Sequence, residues 1–329
     1  MSSKKNIIYN KNHNCFGLSA NAILSRQIPE KIEFIWNQAG IATLKNNDII
    51  RLTPYYESLE DHLKRVANID MYRFHFDNFD ALHRQCVDII KEATSFIICL
   101  DVYELPYNIY YKERHSLHYI EVVGIKDDYY FICDHFYKYK GKINKETISN
   151  AIISLINQKM LNKFEMYTFN LGNIDLSNSL DIKNILKINA MINIGEMLPG
   201  INILKHEEKS YAIGLNHFLD FKEYVSNEVL INKKNISIAY RNLYVFGSSR
   251  NNYANYLKGF LNNYSVLENI IETYEDIAQE FKIVANHILK LYFTDLKKDT
   301  QKNLTNRLQK VYLLEKEATD SIFKFLNKL

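Results

Sequence analysis

The sequence predicts an α+β protein, with a central antiparallel sheet followed by a mainly helical C-terminal region. Three observations carry this. Strand-like runs at 72–76, 95–102, 118–125, 129–134 and 164–169 alternate with segments of helical periodicity. Two of these runs are separated only by Lys126-Asp127-Asp128, the spacing of a hairpin and so of an antiparallel pair. From about residue 178 helical periodicity takes over. A domain covering 1–175 and a helical domain covering 176–329 follow, the boundary marked by a shift of composition rather than by a hinge.

In chain order, residues 6–14 read as a short strand and turn leading into a helix that opens at Cys15. Gln27-Ile28-Pro29 ends that helix, because the residue before proline avoids helical geometry. Residues 32–52 read as strand and loop. Tyr56–Ala67 is an amphipathic helix with Leu59, Leu63 and Val66 on one face, and 78–93 is a second helix. The apolar run 95–102 reads as a fully buried central strand. A Tyr-rich connection, 103–117, leads to the hairpin of strands 118–125 and 129–134. Helix 145–159 and a last strand, 164–169, complete the first domain. The remainder reads as helices 178–194, 208–227, 251–263, 265–293 and 301–327. The last two carry long apolar stripes and a turn at 293–300, which predicts an antiparallel pair.

The 329 residues are enough for two domains, and 47% hydrophobic with 24% charged is ordinary for a globular chain. A net charge of +3, dispersed along the chain, argues against nucleic acid, which needs a clustered basic face. It leaves room for a local basic patch that docks an acidic partner. The polar start, Met1-Ser2-Ser3-Lys4-Lys5-Asn6, is not a signal peptide, and no run approaches the roughly 20 apolar residues of a membrane helix. The four cysteines, at 15, 86, 99 and 133, lack the close spacing of a disulfide framework. A cytoplasmic protein with no membrane contact is expected, in a compartment where a thiol nucleophile stays reduced.

Three residues carry candidate chemistry. Cys15 sits at a helix N-terminus, where the helix dipole stabilises a thiolate and a nearby imidazolium lowers its pKa further. The competing reading is a buried apolar cysteine. His118 opens a strand and can point into a cleft, where it would take and return the thiol proton. The competing reading is a satisfied core histidine, and His13, His115 and His135 are rivals for its role. Asp134 ends the next strand, and in a hairpin of this length it falls near the same end of the sheet as His118, where it can hold the imidazole tautomer. It could instead simply begin a turn. Asp101 ends the buried strand and is a candidate cap or supporting group. His115 and His118 lack an acidic or cysteine partner at ligand spacing, so no metal is expected.

The segments Asn14-Cys15-Phe16-Gly17, Asp101-Val-Tyr-Glu-Leu-Pro106-Tyr107, His118-Tyr-Ile-Glu-Val-Val-Gly124 and Asp134 resemble the N-terminal domain of the butirosin biosynthesis protein H family. The resemblance spans roughly 10–170, and the helical remainder, including Tyr211–Leu215 and Arg250–Leu257, is similar to the helical region that often follows this domain. It implies a papain-like cysteine-protease fold and a Cys-His-Asp set made of Cys15, His118 and Asp134. It further implies acyl transfer from a carrier-protein phosphopantetheine thioester, through an acyl-cysteine, to an amine in natural-product assembly, as in closthioamide-type amide formation. The phosphopantetheine arm is then a co-substrate and no bound cofactor is expected. One departure stands out. Papain-like peptidases place an oxyanion-hole Gln about six residues before the cysteine, and here that position is Tyr9. Asn12, Asn14 or the Cys15 backbone N–H are the substitutes at hand.

The leading expectation is thus a cysteine-dependent, amide-forming acyltransferase whose partners are an acyl or peptidyl carrier protein and an amine. The Tyr-rich loop and the helical region are candidates to keep water out, and the long C-terminal helix pair offers an interface for a homodimer. The rivals are a cysteine peptidase or thioesterase, with water as acceptor, and a non-catalytic binding protein on the same fold.

Overall fold

The computed structural model describes residues 6–29, 31–46, 49–92, 94–206, 209–229, 233–293 and 298–328. The first elements are α1 (Cys15–Leu24), a 3-10 turn (Ile32–Ile35), β1 (Ala42–Asn46), β2 (Ile49–Thr53), α2 (Leu59–Ala67), β3 (Asp70–Phe76) and α3 (Phe79–Lys91). Next come β4 (Phe96–Asp101), a 3-10 turn (Val102–Glu104), β5 (Leu117–Lys126), β6 (Tyr129–Asp134), β7 (Tyr139–Asn144), α4 (Lys145–Asn157) and β8 (Phe164–Asn170). The rest is α5 (Ser177–Leu180), α6 (Ile182–Asn193), the short strands β9 (Lys205–His206), β10 (Lys209–Ser210) and β11 (Ala212–Ile213), α7 (Leu215–Tyr224), a π turn (Val225–Val229), α8 (Lys233–Lys258), α9 (Leu267–Phe293) and α10 (Lys298–Leu326).

The chain is α+β and divides into two compact units, one of Met1–Ile32 with Asn68–Ile174, the other of Glu33–Ala67 with Asp175–Leu329. Residues 33–67, read from the sequence as part of the first domain, therefore gather with the second unit.

The first unit is built on a six-stranded antiparallel sheet in the order β3-β8-β4-β5-β6-β7. All six residues of β4 are buried, as the continuous apolar run requires of a strand covered on both faces. On one face Phe96, Ile98, Leu100, Ile120, Val122 and Ile132 pack with Leu82, Cys86 and Ile89 of α3 and with Ile148, Ala151 and Ile152 of α4. Side chains alternate across a strand, so the intervening residues belong to the other face. There Tyr119 and Tyr167 each meet Phe16 of α1 edge to face, with ring centroids 5.0 Å apart in both cases. Arg26, just beyond α1, clamps the fully buried Glu121 at 2.6 and 2.8 Å.

The β5–β6 hairpin turns on Asp127, held at φ 53°, a left-handed conformation that Asp tolerates and a two-residue hairpin loop needs. Asparagine caps the N-termini of α1, α3 and α4 through Asn14, Asn78 and Asn144, each side-chain oxygen accepting a backbone N–H of the first turn.

Several expectations do not survive: the helix read as 208–227 begins only at Leu215, after the short strands β10 and β11, and 178–194 is two helices, α5 and α6. Residues 6–10 form no strand. The segment 139–144, left unassigned from the sequence, is the edge strand β7, whose alternation is carried mainly by polar side chains. In the second unit, β11-β1-β2 form a small antiparallel sheet and β9-β10 a two-stranded one, and the remaining elements are helical. Asn189 of α6 binds residues 33–67 there, its Oδ1 accepting the Ala39 N–H at 2.7 Å and its Nδ2 donating to the Asn37 carbonyl at 3.0 Å. The helix read as 251–263 begins much earlier, at Lys233, and the turn expected at 293–300 lies largely outside the described residues. Among the described residues no helix is long and apolar enough to cross a membrane.

Candidate active site

Cys15 is the first residue of α1, and the cap that starts the helix also fixes the thiol. Asn14 Oδ1 accepts the Gly17 N–H at 2.8 Å, so the chain turns into the helix at Cys15. A Cβ on Gly17 would stand 3.3 Å from Asn14 Oδ1 and from the His13 ring, which explains the glycine inside this turn. The thiol is partly buried and hydrogen-bonded to His118.

His118 enters from the start of β5, paired across the ladder with Leu100. Its Nε2 donates to Asp134 Oδ2 at 2.8 Å, and both residues are buried. That bond leaves Nδ1 as the ring nitrogen for Cys15. Asp134, at the end of β6, accepts four hydrogen bonds. Oδ2 receives His118 and the Tyr107 hydroxyl, each at 2.8 Å. Oδ1 receives the backbone N–H groups of Phe136 at 3.1 Å and Tyr137 at 3.0 Å. The hairpin thus brings His118 and Asp134 together, and α1 brings Cys15 to them.

Electrostatics follow from this geometry. Burial pushes the Cys15 thiol up, but the His118 hydrogen bond, its charge and the backbone N–H groups of Tyr119 and Phe16 together hold it below the ordinary value. Burial lowers His118, while bonds to Asp134 and Cys15 overcome it and lift the imidazole to about 9. Burial likewise opposes ionisation of Asp134, yet His118, the Tyr137 N–H and the Tyr107 hydroxyl keep its carboxyl below the usual range. Opposite shifts on a thiol and an imidazole in contact favour the thiolate–imidazolium pair over the neutral pair.

The rival histidines are engaged elsewhere. His115 Nδ1 pairs with Asp101 Oδ2 at 2.7 Å, and its ring stacks on Tyr103. Asp101 also accepts the Tyr103 and Ser116 N–H groups and the Ser154 hydroxyl, so it is the structural cap at the end of the central strand. His135 accepts the Ile8 N–H at Nδ1 and donates from Nε2 to Glu121 at 3.0 Å, tying the N-terminal segment to β5. Burial lowers His13 to about 4, so it stays neutral. Among the described residues no group of three or more His, Cys, Asp or Glu is gathered to hold a metal.

Two residues near the site were not given roles from the sequence. Tyr107 belongs to the quoted Asp101–Tyr107 segment, and its ring stacks on Tyr139 with centroids 3.9 Å apart. Tyr137 lies with its ring 5.0 Å from His118. The signal for Tyr137 was its place three residues past Asp134 in a tight turn. Of the oxyanion candidates, Asn14 has its oxygen committed to the cap, and the Asn12 N–H donates to Asn10 Oδ1 at 2.9 Å.

Residues 24–135 match the family profile described as butirosin biosynthesis protein H, N-terminal. The resemblance read from the sequence is therefore shown over this stretch, which takes in His118 and Asp134 and begins after Cys15. No curated protein matches the chain.

Proposed function

We propose that this protein is a cysteine-dependent acyltransferase that forms an amide bond. It takes an acyl chain from a carrier-protein thioester through an acyl-Cys15 intermediate to an amine. The observation that carries the reading is the mutual contact of Cys15 with His118 and of His118 with Asp134, with the thiol shifted down and the imidazole up. The match to a domain of a biosynthesis protein family supports the coarser statement, a biosynthetic enzyme. A cysteine opening a helix, packed on an antiparallel sheet that carries the histidine and the acid, supports a papain-like arrangement.

The chemistry runs in two halves. The Cys15 thiolate attacks the thioester carbonyl, a C–S bond forms and the carbonyl electrons move onto oxygen. As the tetrahedral intermediate collapses, the bond to the carrier sulfur breaks and His118 gives that sulfur its proton. The amine then attacks the acyl-cysteine and loses a proton to His118, and Cys15 leaves as thiolate. Asp134 keeps the imidazole oriented through both halves and stabilises its charge. A thioester is already activated, so it asks less of the site than a peptide bond would.

The test is intact-protein mass after incubation with acyl-phosphopantetheinyl carriers, for wild type and Cys15→Ala. An acyl-sized adduct on wild type alone, lost on adding an amine with appearance of the amide, is the expected result. Loss of the adduct to water regardless of amine would replace the acyltransferase with a thioesterase. No adduct on either protein, with no preferential alkylation of Cys15, would leave a binding protein.

A further inference from the structure

The sheet edge beside the Cys15–His118–Asp134 set is basic. Strand β7 pairs with β6 through Phe131 and Lys142, Cys133 and Lys140, and Asp134 and Tyr139. Tyr139 and Ile143 pack with the α3 and α4 core. Side chains alternate along a strand, so Lys140 and Lys142 project from the opposite face, the one that α1 covers further in through Phe16. They stand two residues apart, about 7 Å along the strand. Lys142 lies over the Tyr129 ring, 4.3 Å from its centroid. Lys138, in the turn between Asp134 and β7, continues the row toward the active site, with its ammonium 4.2 Å from the centroid of Tyr9.

All three lysines are exposed, as is Lys11, four residues before Cys15. Two aromatics among them are exposed as well. Phe131 is 39% exposed, and Phe136, whose ring meets His118 at 5.9 Å, is 45% exposed. In residues 6–15 and 129–145 the only acid is Asp134, which has no exposure and is engaged by His118. Asp127, Asp128 and Glu146 lie at the opposite end of β6 and β7.

We propose that this shelf, Lys138, Lys140 and Lys142 with Phe131 and Phe136, docks an acidic carrier protein and so delivers its thioester arm to Cys15. This deepens the proposed function and rests on it. Charge complementarity names the occupant. A phosphopantetheine arm is joined to its carrier through a phosphodiester, an anion that must come close to the thiol, and Lys138 stands at the active-site end of the row. Lys140 and Lys142 lie further out along β7, where they meet carboxylates on the carrier's own surface. Phe131 and Phe136 supply the apolar part of the contact. Complementary rows of charge speed encounter and fix orientation more than they add affinity.

Lysine on an edge strand has another use, preventing the edge from pairing with a second sheet. Glutamate serves that purpose too, so charge reversal separates the two roles. A nucleic acid would also meet these charges, but it brings no acyl group to the thiol at the end of the row.

The probe is an acidic acyl carrier protein whose phosphopantetheine thiol is replaced by a chloroacetamide. The Cys15 sulfur displaces chloride, a C–S bond forms, and the crosslink reports docking without any acyl transfer. Free chloroacetamide reports the thiol alone. In wild type, crosslinking should outpace the free reagent at equal concentration and slow as salt rises, while the free reaction should ignore salt. Lys140→Glu with Lys142→Glu should slow crosslinking at least about tenfold and flatten its salt dependence, with the free reaction unchanged. Lys138→Glu should act in the same direction and covers the case in which the double variant does not fold. Equal crosslinking in wild type and a folded double variant would overturn the proposal and leave edge protection as the lysines' role. So would a wild type that reacts no faster with the carrier than with the free reagent, or one whose oligonucleotide binding, but not crosslinking, is lost on charge reversal. Failure of the acyltransferase reading looks different: acyl carriers leave no adduct on Cys15, while the salt-dependent crosslink and its loss on charge reversal remain and uphold the docking surface.

Discussion

Tyr107 donates its hydroxyl to Asp134 Oδ2 at 2.8 Å, the same oxygen that receives His118. The carboxylate has no exposure, so each of its bonds replaces one that water would make. Burial and the charge of Asp134 push the Tyr107 hydroxyl well above its ordinary pKa, which keeps it a donor across the working range. Tyr107→Phe should lower stability by about 2 kcal/mol, the worth of a hydrogen bond to a buried charge. Urea unfolding measures this. An unchanged midpoint would mean that the two backbone donors and His118 suffice.

Replacing His118 should remove the largest influences that hold the Cys15 pKa down, leaving burial opposed only by the Tyr119 and Phe16 N–H groups, so the thiol pKa should rise. His118→Ala should then slow iodoacetamide alkylation at pH 7 by at least about tenfold, since one pKa unit is a tenfold change in thiolate fraction. Equal rates in the two proteins would show that the imidazole does not activate the thiol.

The pH dependence of transfer and of alkylation should diverge at the alkaline end. His118 must hold a proton to release the carrier thiol, and its pKa stands at about 9. Acyl transfer should fall as pH rises through that value, while alkylation, which needs only thiolate, should not. The two profiles are best measured on one preparation, because the thiol and imidazole titrate as a coupled pair.

Glu121 sets an acid limit on stability. Burial opposes its charge, but His135, the Arg26 guanidinium and Ser95 depress its pKa from 4.5 to about 2. A folded pKa below the unfolded one gives stability that is fully present above pH 4.5 and lost as pH falls toward 2. The contribution is roughly 3 kcal/mol. Glu121→Gln should flatten the fall in unfolding free energy across this window, whatever it does at neutral pH. A slope equal to wild type would exclude Glu121 as the source.

In the second unit, Arg250 donates to Glu315 at 2.7 Å with both side chains at zero exposure. Removing one partner strands the other charge. Glu315→Leu should cost about 3–5 kcal/mol, and Arg250→Met with Glu315→Leu should cost less than the single change. Thermal or urea unfolding of the three proteins decides it, and additivity of the two changes would argue against a direct pair.

Much of the site was legible because its geometry is local. The distance between His118 and Asp134 is set by a hairpin whose turn, Lys126-Asp127-Asp128, is visible in the chain, and Cys15 follows directly on its capping Asn14. What stayed hidden depends on partners far away in sequence. Tyr-Lys-Gly-Lys-Ile-Asn at 139–144 has one buried position and is a strand only because β6 lies beside it. The long helix α8 was cut short because Asn, Ser and Tyr interrupt its apolar period. Residues 33–67 join the second unit through partners such as Asn189, 150 residues beyond Ala39, and no local pattern announces a bond of that span.

That interleaving governs the order in which the protein can be made. Residues 33–67 leave the ribosome before most of the first unit and long before the helices they pack with from residue 175 onward. The first unit can complete its sheet once residue 170 has emerged, carrying the segment as an unfinished loop. The second unit closes only with the last helix, Lys298–Leu326. A stalled or truncated chain therefore exposes Ile35, Ile41, Leu44 and Leu52. Trimming the C-terminus creates the same exposure in a finished chain.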